Sequence, residues 1–220
     1  MVRILLGEML VNIGDDRMNR LAVVIAIAGS VVAWPDPAVA QSKRDRFELG
    51  VQVSSATSSE FDRTDVGLGG RISWHPVGLV GIESEINLYP GGFPDERPFS
   101  RGRVEGLFGV TVGPRFNRVR PFARLRSGFL NVREAPRPYA CILIFPPPLA
   151  CELASGRTLV AFDIGGGVEV LATRKTFVRA DVGDRVLRYP GPVFDNNRTR
   201  REHAFFSHDF RFAAAAGLRF

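Results

Sequence analysis

Residues 206–220 read FSHDFRFAAAAGLRF. Phe206, Phe210, Phe212, Ala214, Ala216, Leu218 and Phe220 fall on one row, and Ser207, Asp209, Arg211, Ala213 and Arg219 on the other. A period of two is a β-strand with one apolar and one polar face. The stretch is long enough to cross a bilayer at a tilt. Its polar face carries charge, and its apolar face is built of the larger side chains.

Upstream the same pattern returns seven times. Phe47, Leu49, Val51 and Val53 oppose Glu48, Gly50, Gln52 and Ser54. Val66 to Trp74 alternates with Gly67, Gly69, Arg71 and Ser73. Val80, Ile82, Ile86 and Leu88 oppose Gly81, Glu83, Glu85 and Asn87. Val104, Phe108, Val110 and Val112 oppose Arg103, Glu105, Gly109 and Thr111. Ala123, Leu125 and Phe129 oppose Arg124, Arg126 and Gly128. Val160, Phe162, Ile164, Val168 and Val170 oppose Asp163, Gly165, Gly167 and Glu169. Val178, Ala180 and Val182 oppose Arg179, Asp181 and Gly183. These are eight segments separated by turn residues, and no sustained helical period stands between them. The expected fold is all-β, an eight-stranded antiparallel up-and-down transmembrane β-barrel. Connections after the second, fourth and sixth segments are expected to be short, and the others longer.

A soluble barrel also alternates, but it turns its apolar rows inward. Here the polar rows hold eight acids (Glu48, Glu83, Glu85, Glu105, Asp163, Glu169, Asp181 and Asp209). They also hold eight bases (Arg71, Arg103, Arg115, Arg124, Arg126, Arg179, Arg211 and Arg219). An eight-stranded barrel has interior space only for side chains, and buried charges require partners. A matched set therefore suits an interior, leaving the apolar rows for lipid. The composition, 45% hydrophobic and 24% charged, lies between helical membrane proteins and disordered chains. The net charge of +6 is spread at strand-like intervals and forms no basic stripe, so a nucleic-acid partner is not expected.

Met18-Asn-Arg, the apolar run Leu21–Ala33 and Ala38-Val39-Ala40 have the layout of a secretory signal peptide cleaved before Gln41. Glu8, Asp15 and Asp16 do not suit an export signal. Residues 1–17 are therefore expected to be a mis-called start, 18–40 the signal and 41–220 the barrel.

The terminal alternation ending on Phe220, with RPFAR at 120–124, GGGVE at 165–169 and FVRADVGD at 177–184, resembles outer-membrane β-barrels of the outer-membrane-protein-A and opacity type. The resemblance covers Arg46–Phe220 and implies residence in a bacterial outer membrane. It also implies that the assembly machinery reads the last strand through Phe210, Phe212, Leu218 and Phe220. No further domain is expected after the barrel, unlike in some relatives.

Cys141 and Cys151, the only cysteines, lie in CILIFPPPLAC within the longest loop. In an exported chain they are expected to form a disulfide, contributing up to about 3 kcal/mol in the chain-entropy model. Ile142, Leu143, Ile144 and Phe145 make an apolar tip, either gripping a partner or lipid or packing over the barrel mouth. Ser207, His208 and Asp209 invite comparison with a catalytic triad. In a strand, however, His208 points opposite to the other two, so the three cannot converge. GGG at 165–167 opens no helix and is not a nucleotide loop. Arg198, Arg200 and Arg201 in the last loop are candidate contacts for lipopolysaccharide phosphates. No cofactor, metal or catalytic residue is expected. The leading function is a non-enzymatic structural or surface-interaction barrel, with a small pore second and a lipid A-modifying enzyme third.

Overall fold

The computed structural model describes residues 46–91, 102–135, 141 and 144–220. The expected mis-called start, the signal peptide and the loop residues Ile142 and Leu143 lie outside them.

Eight long strands form a closed barrel: β1 Phe47–Ser58, β2 Arg63–Trp74, β3 Val80–Tyr89, β4 Arg103–Val112, β5 Val119–Val132, β6 Arg157–Leu171, β7 Thr176–Tyr189 and β10 Phe205–Arg219. Each pairs antiparallel with its neighbours, in the order β1-β10-β7-β6-β5-β4-β3-β2. Between β7 and β10 a small ribbon, β8 (Val193–Phe194) and β9 (Arg200–Arg201), decorates the last loop. The seam is closed at the barrel's own termini, the start of β1 and the end of β10. Phe47 N–H donates to Phe220 O at 3.1 Å, and Phe220 N–H donates to Phe47 O at 2.8 Å. Within the closed barrel no strand edge is left for another chain to pair with.

The register fixes the tilt. Paired residues followed once around the ring lead from Thr57 through Phe210, Asp184, Ile164, Leu125, Val110, Ile82 and Trp74 to Phe47. That path ends ten residues from its start on the same strand. Such a stagger on eight strands tilts them by about 40° and leaves a narrow interior. The triple glycine follows from the same closeness. A Cβ on Gly165, in the middle of β6, would sit 2.2 Å from Val182 O on β7.

The faces are inside-out relative to a soluble protein. Glu48, Arg71, Glu83, Arg126, Asp163 and Arg211 are buried in the lumen, while Leu49, Val51, Leu68, Ile86, Leu125, Ile164 and Phe212 are exposed outside. Aromatic side chains gather at both ends of the outer face. Phe47, stacked on Trp74 with centroids 6.3 Å apart, and Phe220 mark the end that carries the termini. Phe129, Phe162 and Phe210 mark the other.

Two expectations about the connections need correction. The first outer connection, residues 59–62, is as short as the turns at the opposite end. Its strands continue past the apolar rows through Ser54–Ser58 and Arg63–Asp65, with Thr57 and Thr64 hydroxyls 2.7 Å apart, so pairing carries on where side chains are polar. The second is a helix, α1 (Leu149–Ala154), in the loop between β5 and β6. Six residues are too few to show a helical period in sequence.

Candidate functional site

The lumen is filled in two manners. From the termini end to beyond its middle it is a charge network. Near the termini, Arg115 reaches Glu169 at 3.1 Å and Glu48 at 3.5 Å, and Arg219 lies 3.6 Å from Glu48. His75, from the turn after β2, is buried here, with Arg120 against Nε2 and Glu48 3.8 Å from Nδ1. Desolvation first, then Arg120 and Arg115, push its pKa down to about 3.

Above this level each guanidinium serves several carboxylates. Arg71 contacts Glu83 and Asp181, and Arg179 joins the same pair at 2.7 and 2.8 Å while stacking 3.8 Å over the Phe122 ring. Arg124 holds Asp181, and Asp163 at 2.8 Å. Arg126 spans Glu83, Glu85 and Asp163 at 2.8, 2.5 and 2.9 Å. Arg211 binds Glu85 and approaches Asp163 and Glu105 at 3.4 and 3.7 Å. Higher still, Arg185 clamps Glu105 at 2.8 Å and Asp209 at 2.7 Å, and Arg103 meets Asp65 at 2.6 Å. Gln52, Asn87 and Tyr89 tie the carboxylates to the neighbouring strand wall.

Toward the loops the filling changes to hydrocarbon. Leu107, Leu130, Leu159, Ala161, Leu187 and Tyr189 point inward from the strands. Leu149 and Leu153 of α1 and Val193 of β8 come down on them from the loops, and Phe61 and Phe205 pack around the edge. Leu153 is fully buried. The loops are knitted into one cap: Phe194 N–H donates to Pro147 O at 2.9 Å, and Asn196 N–H to Glu60 Oε1 at 2.8 Å. Cys141 and Cys151 are joined, fastening the loop to α1. Two open recesses, of about 390 and 330 Å³, lie at the rim beside Arg133 and not in the lumen.

Whereas Arg115 is only half-buried and reaches in from the turn after β4, the interior charges read from the strand segments are buried in the lumen. Arg120, Arg185 and Asp65 lie there too and were missed. Extending the alternation backward from Arg124 and forward from Asp181 and Gly183 reaches both arginines, but Pro121 and a weaker pattern beyond Gly183 hid them. The apolar tip splits: Ile144 and Phe145 are exposed, and it is Leu149 and Leu153 that pack over the mouth. Arg200 pairs with Glu202 at 2.6 Å and Arg201 with Asp195 at 3.0 Å, whereas Arg198 sits exposed at the turn.

Ser207, His208 and Asp209 diverge. Ser207 meets the Ser59 hydroxyl at 3.1 Å and Asp209 binds Arg185, both inside. His208 lies outside, its Nδ1 2.6 Å from Asp184 Oδ2. Asp184 was given no face from the sequence. Among the described residues no group of three or more His, Cys, Asp or Glu side chains is arranged to hold a metal. No described helix is long and apolar enough to cross a membrane.

No family model and no curated protein matches the chain. Among solved structures it is similar to Ail, the attachment invasion locus protein of Yersinia pestis, in complex with the heparin analogue sucrose octasulfate. That match has 14% identity, 80% of this chain and 99% of that one covered, and a TM-score of 0.45. Neisserial surface protein A gives 14% identity, 79% and 97% coverage and 0.45. Outer membrane protein AlkL, solved by solid-state NMR in DMPC bilayers, gives 9% identity, 86% and 97% coverage and 0.44. Likenesses at this level say nothing about activity.

Proposed function

We propose that this chain is an integral barrel of a bacterial outer membrane, sealed along its axis, whose work is done on the outer face and by the loop cap. The observation that carries this reading is the inversion of faces. An apolar belt edged by aromatic side chains surrounds a lumen of paired charges. In water the belt would be a very large exposed apolar surface; in a bilayer it is solvated, and the closed ladder leaves no backbone group unpaired in hydrocarbon. The role is structural or one of surface interaction, without catalysis. The loop arginine Arg198 and the outer face meet lipopolysaccharide, and the last strand is read by the assembly machinery during insertion. The pore reading is disfavoured by the two successive fillings of the lumen.

Mature protein folded into detergent is expected to be heat-modifiable, migrating differently on a gel before and after boiling. Replacing the outward Phe212 with Arg should then destabilise by about 2–4 kcal/mol, because the charge enters hydrocarbon. Urea titration in lipid vesicles measures it. A harmless Phe212→Arg together with a soluble, detergent-independent monomer would overturn the membrane reading.

A further inference from the structure

On the outer face of β7 the row of side chains runs Val178, Ala180, Val182, Asp184, Val186, Arg188. On β10 it runs Leu218, Ala216, Ala214, Phe212, Phe210, His208, Phe206. His208 and Asp184 thus face outward among apolar neighbours, at the loop end of the belt. The pair sits at the loop-end aromatic rim, level with Phe210 and Phe162, and is the only ion pair on the outer rows of the eight long strands among the described residues. Arg188, exposed two positions further along the row, has no carboxylate partner among the described residues. Ionisable groups turned toward lipid are costly and call for a functional reason.

The geometry gives one. Asp184 takes Nδ1 of His208, which fixes the ring and leaves Nε2 outward. His208 lies opposite Val186, and Arg188 lies opposite Phe206. Arg188 and His208 are therefore diagonal neighbours, with Cα atoms about 7–8 Å apart, close enough for both to reach one small anion. Asp184 is already taken by His208 and Arg188 brings a guanidinium without a carboxylate among the described residues, so an anion suits the patch better than a second copy of it. Guanidinium forks recognise phosphate oxygens in pairs. Phe206, Phe210, Val160 and Phe162 flank the patch with exposed apolar surface on which acyl chains would lie. We propose that Arg188 and His208, with Asp184 orienting the imidazole, form a site on the outside of the barrel for a phosphate-bearing lipid headgroup.

The proposal rests on the outer-membrane reading, and the test separates the two. Mature protein is folded in neutral maltoside micelles, its heat-modifiability is verified, and the His208 ring signals are followed by NMR. The titrants are dihexanoyl phosphatidic acid, dihexanoylglycerol and inorganic phosphate. A saturable shift with phosphatidic acid alone, weakened at least tenfold in Arg188→Gln and partly restored in Arg188→Lys, supports the site. A heat-modifiable barrel with no saturable shift sinks the site and leaves the membrane reading standing. So does an equal response to dihexanoylglycerol or to inorganic phosphate, or unchanged binding in Arg188→Gln. Cross-linking that shows two copies meeting through this face would likewise overturn it. Loss of heat-modifiability in the unaltered chain would instead remove the membrane reading itself.

Discussion

The two ends of the lumen are both full, yet by opposite chemistry. Toward the termini the space is occupied by arginines and carboxylates that share partners; toward the loops it is occupied by leucines and by a helix supplied from outside the barrel. The difference follows from what each end is given. The turns at the termini end are short and bring few side chains, so the strands must fill the space with their own, and long arginines span the lumen. The loops at the other end are long enough to send α1 and β8 back over the mouth. A charged group beneath such a lid would lose water without gaining partners, so the strands present hydrocarbon there.

The comparison breaks most visibly at Arg211. It is fully buried and serves Glu85, Asp163 and Glu105 at once. Arg211→Leu should cost about 3–5 kcal/mol, because it leaves carboxylates unpaired in the interior. Urea unfolding in vesicles reads the loss, and Glu85→Gln in the same chain should recover much of it. Neutralising Asp209, the nearest acid in sequence, should recover less, since Asp209 belongs to Arg185. Equal rescue by the two would mean that the network acts as a diffuse pool of charge.

A smaller loss is expected at the apolar end. Leu153→Ala empties a fully buried site, but the cap opens to solvent on one side and relaxes, so about 2–3 kcal/mol is expected, at the low end for such truncations. No acid elsewhere should rescue it. Planar-bilayer recordings sharpen the point. Leu153→Ala and the unaltered chain should both be silent, because the charge network closes the passage below. A stable open state in the variant alone would assign the seal to the cap.

The fold was legible because alternation is a strong signal wherever the two faces differ in polarity. Glu83 against Ile82, or Arg211 against Phe212, leaves no doubt which way a side chain points. The cap was not legible for the converse reason. Near the loops both faces are apolar: Leu159 points in beside an outward Val160, Leu130 beside Phe129, and Leu107 beside Phe108. A period of two carries no information when both rows are hydrocarbon. Partner choice was equally hidden. Asp209 is the acid nearest Arg211 in sequence and shares its face, whereas the barrel's curvature carries that guanidinium to Glu85. His208 could be placed outside from sequence, but its partner Asp184 lies across a strand boundary whose register the sequence does not state.

The smallest effect concerns His75 and tests whether the polar end is closed to water as the apolar end is. In the folded chain its imidazole is held neutral, with a pKa pushed down to about 3 by burial first and by Arg120 and Arg115 next. Unfolded, it takes a proton near pH 6.5. Between these values the unfolded chain binds a proton that the barrel refuses, so this residue's contribution to stability falls as the pH drops below about 6.5. At pH 5.5 the loss should be about 1.4 kcal/mol relative to neutral pH. Removing the ring in His75→Gln also disturbs the Arg120 contact, so the useful quantity is a difference of differences. Unfolding free energy in vesicles is measured at pH 7.5 and 5.5 for both chains, and the fall should be about 1.4 kcal/mol steeper with histidine in place. Parallel falls would mean that His75 accepts its proton inside the barrel. The termini end would then be wet enough to admit protons, and the axial seal would rest on the hydrocarbon plug alone.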